Sequence, residues 1–260
     1  MFKVVFFLWR RSDLTRQEFL RYYEDNHSQL GARILPRSVD MRRSYPIWDT
    51  SLGHPDGRPD GKTVFNLAPF DSMTELWYED RSGFENVIAE VKKSPAWETM
   101  EADETKFMNR LQQVFYAIDE RGLEASENEI PKNAASKLLR YARRIPNLSH
   151  EEFKQGYEQE VAPQRSASIP GIVAYRRNYP MLGDPFSFAG GTHNTYKLDE
   201  GQFTVDLIEE IWFADPQGAQ RAIGILDADP ALIDKKNTFR TVVEEYRSTF
   251  GRFLAPVASV

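Results

Sequence analysis

Residues Asp40–Pro46 read "DMRRSYP" and Ala174–Pro180 read "AYRRNYP", so an Arg-Arg-x-Tyr-Pro string recurs at an offset of 134 residues. The same offset aligns Leu14 with Leu148, Glu18 with Glu152, Phe19 with Phe153, Tyr23 with Tyr157 and Glu24 with Glu158, without a gap. Further along, the offset becomes 135 and pairs Glu75, Trp77 and Asp80 with Glu210, Trp212 and Asp215. One inserted residue accounts for the change. A repeat of this length makes the chain an internal duplication. The expected units are 1–120 and 136–256, with the polar stretch 121–135 as a linker that carries no periodic apolar pattern.

Each copy repeats the same order of local signals. "KVVFFLW" (Lys3–Trp9) and "KLLRYAR" (Lys137–Arg143) have the branched and aromatic residues of strands. Thr15-x-x-Glu18 and Ser149-x-x-Glu152 then have capping-box spacing, which opens a helix. The first helix is expected to end near Asn26–Gly31 and its counterpart near Val161–Pro163, because proline does not continue a helix. The Arg-Arg strings form a second strand, and "MTELWYED" (Met73–Asp80) and "VDLIEEIWFAD" (Val205–Asp215) a third. Asp80 and Asp215 sit as N-caps of a second helix, and last strands are expected near Gln113–Ile118 and Arg247–Leu254. The order βαββαβ is that of a ferredoxin-like unit. A four-stranded sheet with helices on one face needs cover on the other. The expected fold is therefore α+β: two tandem ferredoxin-like units packed sheet to sheet as a pseudo-dimeric α+β barrel.

Composition narrows the function. The chain has 260 residues, 41% of them hydrophobic, a net charge of −6 and no cysteine. The negative charge argues against a nucleic-acid partner, and the missing thiols exclude disulfides, cysteine-metal centres and thiol catalysis. The apolar run Val4–Trp9 is too short for a signal sequence, and nothing approaches the roughly 20 apolar residues of a membrane span. A soluble, cytoplasmic protein with no membrane partner is expected. Four scattered histidines (His27, His54, His150, His193) lack metal-ligand spacing, so no metal is expected. No Gly-rich phosphate loop or Gly-x-Ser-x-Gly elbow occurs, so nucleotide cofactors and a serine nucleophile have no support.

The βαββαβ order, the helix "LTRQEFLRYYEDNH" (Leu14–His27), the Arg-Arg-x-Tyr-Pro strand and the "SPAW" (Ser94–Trp97) and "ADETKF" (Ala102–Phe107) segments together resemble the EthD family of dimeric α+β barrel proteins. The resemblance implies a small, cofactor-free fold whose relatives include dehydratases, decarboxylases, cyclases and monooxygenases of aromatic or polyketide-like molecules; the wider superfamily also includes haem proteins. The family's histidine at the end of the first helix falls on His27, and the second copy has Val161 there.

On this reading His27 is a general base, since imidazole titrates nearest neutrality. Asp25 would orient it, and Tyr23 or Tyr78 would hydrogen-bond a developing enolate. Phe7, Trp9, Trp48, Trp77 and Tyr78 would wall a pocket for an aromatic small molecule, with His54 reaching in from a long loop. Arg43 would hold a substrate carboxylate or phenolate; its plainer role is a salt bridge, with Glu75 on the neighbouring strand as the expected partner. The expected activity is a cofactor-free lyase of the dehydratase, decarboxylase or cyclase type. Alternatives are an aromatic- or haem-binding carrier and a cofactor-independent monooxygenase. Whether two chains pair as a homodimer is left open.

Overall fold

The computed structural model describes residues 1–35, 38–46, 70–122, 134–189, 196–197, 205–226, 231–235 and 238–248. The 121–135 linker therefore lies mostly outside the described residues. The first half contains β1 (Phe2–Leu8), α1 (Arg16–Tyr22), a π-helical segment (Tyr23–His27), α2 (Ser28–Ile34), β2 (Asp40–Pro46), β3 (Ser72–Tyr78), α3 (Arg81–Lys92), α4 (Pro95–Glu104) and β4 (Val114–Gly122). The second half contains β5 (Ser136–Ala142), α5 (His150–Gly156), a second π-helical segment (Tyr157–Val161), α6 (Ala162–Ser168) and β6 (Ile172–Pro180). It continues with the two-residue strands β7 (Phe188–Ala189) and β8 (Tyr196–Lys197), then β9 (Leu207–Phe213), α7 (Gly218–Leu226) and β10 (Phe239–Ser248).

Eight strands close on themselves in the order β1-β3-β2-β10-β5-β9-β6-β4, with β4 returning to β1. Within each half the order is fourth, first, third, second. The halves join edge to edge through β2–β10 and β4–β6, both antiparallel. Closure removes every free edge from the eight, which protects the ladder from pairing with other chains.

Both capping boxes form as their spacing predicts. The helices do not stop where expected. In both copies a π-helical segment follows the first helix and the chain turns on, to Ile34 in the first copy and Ser168 in the second. Pro163 is tolerated because it occupies the first turn of α6, where no backbone N–H is needed. The last strand of the second copy lies earlier than expected, at Phe239–Ser248. "FRTVVEEY" has the alternation that a strand requires, and it lays Val243 opposite Lys137 and Pro46.

Strand alternation divides the molecule into an inside and an outside. Val5, Phe7 and Trp9 share one apolar cluster with Leu139, Tyr141, Ile208 and Val243 from the second half, and this is the barrel interior. Val4, Met41, Leu76 and Tyr78 face outward to Phe84, Val87 and Val91 of α3. At one end the interior is ionic. Lys3 Nζ lies 2.6 Å from Glu75, 3.0 Å from Glu210 and 2.8 Å from Glu120. Lys137 Nζ lies 2.7 Å from Glu210, 3.4 Å from Glu75 and 2.5 Å from Glu245. The lysines sit over the rings of Trp77 and Trp212, 4.4 and 4.6 Å from their centroids. Burial and the adjacent Glu210 push Glu75 up to about 7; against the cost of burial, Lys137 and Lys3 hold Glu210 low. The two carboxyls thus divide one proton between them.

The repeated Arg-x-Tyr pairs have a structural explanation on the outer face. Arg43 makes a two-pronged contact with Glu24, at 2.7 and 2.8 Å, and Tyr45 donates to the same carboxylate. Arg177 and Tyr179 bind Glu158 in the same way. Each clamp ties the first helix of its copy to the second strand. The expected Arg43–Glu75 bridge is therefore corrected: the two residues face opposite sides of the sheet, and Glu24 is the partner. Arg42, the inward member of the pair, stacks on Trp77 at 4.7 Å instead.

Removing a partner from a buried ionic cluster leaves uncompensated charge. Lys137→Met should lower the unfolding free energy by about 3–5 kcal/mol, read as a lower urea midpoint; an unchanged midpoint would contradict this account of the barrel end.

Candidate functional site

A cavity of about 760 Å³ lies on the outer face of the first half's sheet, beneath its own helices. Its floor is Val4, Phe6 and Leu8 of β1 and Thr74, Leu76 and Tyr78 of β3; its roof includes Tyr23, His27 and Gly31, with Phe84, Trp97 and Glu104 from α3 and α4. Residues 182–188 of the second half complete the wall. The volume is within the usual range for small-molecule sites.

His27 is placed here by the π-helical segment, a feature frequent at functional sites because its wider turn re-aims side chains. Its Nδ1 lies 2.9 Å from Asp103 Oδ2, while Tyr22 donates to Asp103 Oδ1 at 2.5 Å. The imidazole packs against Phe107, with ring centroids 4.7 Å apart. Burial would raise the Asp103 carboxyl, but the hydrogen bonds from His27 and Tyr22 outweigh it and hold the group at about 2. A carboxylate so held fixes the orientation of the imidazole. Next along α4, Glu104 Oε2 lies 3.0 Å from Arg110 Nε, and burial nevertheless pushes this carboxyl up to about 7. One helix end thus presents an ionised carboxylate and one that can carry a proton at neutral pH.

Of the residues singled out in the sequence, His27, Tyr23 and Tyr78 line the cavity. Tyr23 is committed, its hydroxyl lying 2.5 Å from Thr74 Oγ1. Tyr78 is not: its buried hydroxyl has no hydrogen-bond partner among the described residues. Asp25 is exposed and turned to a surface groove beside Arg16 and Tyr246; Asp103 occupies the role expected of it. Phe7 and Trp9 point into the barrel, and Trp77 lies over the ionic cluster with its Nε1 donating to Glu120. Arg43 is held by Glu24. These four do not wall the cavity, because alternation sends the first three to the barrel side of the sheet and the clamp to Glu24 in the π-helical segment occupies the fourth. Trp48 and His54 lie outside the described residues. The sequence reading missed Asp103, Glu104 and Gln113, although the first two belong to the "ADETKF" string that helped carry the resemblance.

The second half shows no matching cavity among the described residues. Val161 stands at the position of His27 and is buried among Tyr157, Ala162 and Ile169. By the repeat offsets, Phe6, Gly31 and Thr74 correspond to Arg140, Arg165 and Glu209. Those three form a buried ionic triad: Arg140 reaches Glu209, and Arg165 lies 3.0 Å from it. Tyr157 and Tyr175 donate to the same carboxylate. What is open space in one copy is filled by charged side chains in the other.

Residues 11–110 match the family model described as the EthD domain. None of the curated proteins matches the sequence. Among solved structures, a protein of Fusobacterium nucleatum subsp. nucleatum, provisionally named a monooxygenase, is similar at 9% identity and TM-score 0.50, covering 95% of this chain and 94% of its own. A Lactobacillus acidophilus protein with the same provisional name is 10% identical, TM-score 0.47, with 96% of each chain covered. Chlorite dismutase from Candidatus Nitrospira defluvii, in complex with imidazole, is 8% identical, TM-score 0.45, covering 94% and 90%. The first of these shares the mixed α/β fold. Among the described residues, no helix is long and apolar enough to cross a membrane.

Glu104 ordinarily titrates near 4.5 and here near 7, so the folded protein binds the extra proton across that window and loses stability as pH rises through it. Glu104→Gln should flatten the fall of Tm between about pH 4.5 and 7. A slope identical to that of the parent protein would show that Glu104 is not held neutral by the fold.

Proposed function

We propose that the chain is two fused ferredoxin-like units, 1–120 and 136–256, of which the first is a cofactor-independent monooxygenase acting on an apolar ring compound. The observation that carries the reading is the His27–Asp103 pair at the roof of a mostly apolar cavity. His27 takes the proton from an acidic ring carbon, such as the CH2 of the keto tautomer of a phenol, and Asp103 stabilises the imidazolium. Tyr78, with its free hydroxyl, stabilises the enolate oxygen. The carbanion passes one electron to dioxygen, and the radical pair joins through a new C–O bond as a peroxide. The peroxide takes a proton, for which Glu104 is placed. Loss of the second hydrogen from the same carbon then expels water and leaves C=O. CH2 and O2 become C=O and H2O, with the substrate supplying all four electrons.

The lyase of the dehydratase, decarboxylase or cyclase type shares the first proton transfer and differs in the later steps. The oxygen-dependent reading is preferred because the Fusobacterium nucleatum protein of like fold carries an oxidative name. An apolar cavity also admits dioxygen readily. A haem carrier fits the lining less well. The Asp103–His27 pair is what an axial histidine receives, but the described lining offers Lys92 as cation against the carboxylic side chains of Glu104 and Asp184. A group that brings two carboxylates of its own would have Lys92 as the one lysine or arginine to meet it among the described lining residues.

Oxygen consumption with hydroxylated naphthalenes and anthrones should proceed without added flavin or metal. His27→Ala should slow it by about 10²- to 10⁴-fold, and Asp103→Asn should slow it less while shifting its pH profile. Product formed at the same rate without dioxygen would overturn the monooxygenase in favour of the lyase.

A further inference from the structure

Among the described residues, the Tyr78 hydroxyl and the Gln113 side-chain oxygen are buried in the cavity lining without a hydrogen-bond partner, while Glu104 Oε2, likewise buried without a hydrogen bond, has its ion pair to Arg110. Tyr78 and Gln113 are each 1% exposed. An unsatisfied buried polar group is costly, and such groups in a cavity call for a ligand that meets them. Gln113 Oε1 can only accept, so it asks for a donor; Tyr78 can donate to an oxygen. A hydroxyl group serves both.

The opposite requirement comes from the second half of the chain. Phe186 packs edge-on to Phe84, with centroids 4.7 Å apart, and Phe188 stacks on Phe115 at 4.5 Å and 17°. This wall is anchored rather than loose. Arg81, at the start of α3, pairs with Asp184 through both terminal nitrogens, and Ser187 Oγ accepts from the backbone N–H of Ala117 at 3.1 Å.

From these features we infer that the cavity selects hydroxylated, multi-ring aromatic ligands, the first half reading the hydroxyl through Tyr78 and Gln113 and the second half reading ring extent through Phe186 and Phe188. The inference deepens the proposed function and rests on its placement of the ligand in this cavity. It gives the second copy, which has no cavity of its own among the described residues, a part in the site of the first.

The test is equilibrium binding of 2-naphthol, naphthalene and phenol, followed by fluorescence and calorimetry without turnover. The parent protein should bind one 2-naphthol per chain, about tenfold or more tighter than either comparison ligand. Tyr78→Phe and Gln113→Met should erase the preference for 2-naphthol over naphthalene while leaving naphthalene affinity within about twofold. Phe186→Ala should erase the preference over phenol. If a variant loses its thermal transition, the ligand series on the parent protein decides alone: equal affinities for all three, or no binding, overturn the inference. Tight, selective binding without oxygen uptake would leave the inference standing and remove only the monooxygenase.

Discussion

Two lysines inside a closed barrel constrain everything around them. Lys3 and Lys137 cannot leave water without carboxylates, and Glu75, Glu210, Glu120 and Glu245 supply them from both halves. Because each lysine contacts acids from its own half and from the other, the cluster ties the two copies together at a point that neither could complete alone. The central space of the barrel is thereby occupied at one end by charge and at the other by rings such as Phe7, Phe70 and Tyr141. Among the described residues, an apolar cavity lies instead under the helices of the first half.

The repeat offers the same position under the helices twice, and among the described residues it is open in the first half and filled in the second. The exchange at Phe6, Gly31 and Thr74 for Arg140, Arg165 and Glu209 is coordinated, since one carboxylate between two guanidinium groups is tolerable in a core and any one of the three alone is not. Two tyrosines then use up the remaining acceptor capacity of Glu209. With its own space filled, the second half is free to contribute a wall to the first. The division of labour is between one half that carries acid–base groups and one that supplies support and shape.

Much of this was legible in the sequence. The repeat, the capping boxes and the order of elements follow from spacing, and the contrast of His27 with Val161 marks the half whose helices cover the described cavity. What the sequence does not display is which face of a strand meets the ligand. Period-two alternation separates Phe7 and Trp9 from Phe6 and Leu8 but leaves the choice of side to tertiary packing, so the aromatic residues of the barrel were read as pocket walls. The orienting carboxylate was missed for a related reason. Asp25 is near His27 along the chain, but its side chain projects to solvent, whereas Asp103 arrives from α4, far away in sequence. Arg43 was assigned a partner by strand adjacency, when the helix above the sheet supplied it.

The most direct measurement is a crystal structure of the protein soaked with a hydroxylated naphthalene or anthrone, with density compared at the two pseudo-equivalent positions. The account predicts one molecule per chain, under α3 and α4, with its acidic carbon or oxygen within hydrogen-bond reach of His27 and nothing beside Val161. A ligand within the barrel, or one beneath the helices of the second half, would contradict it.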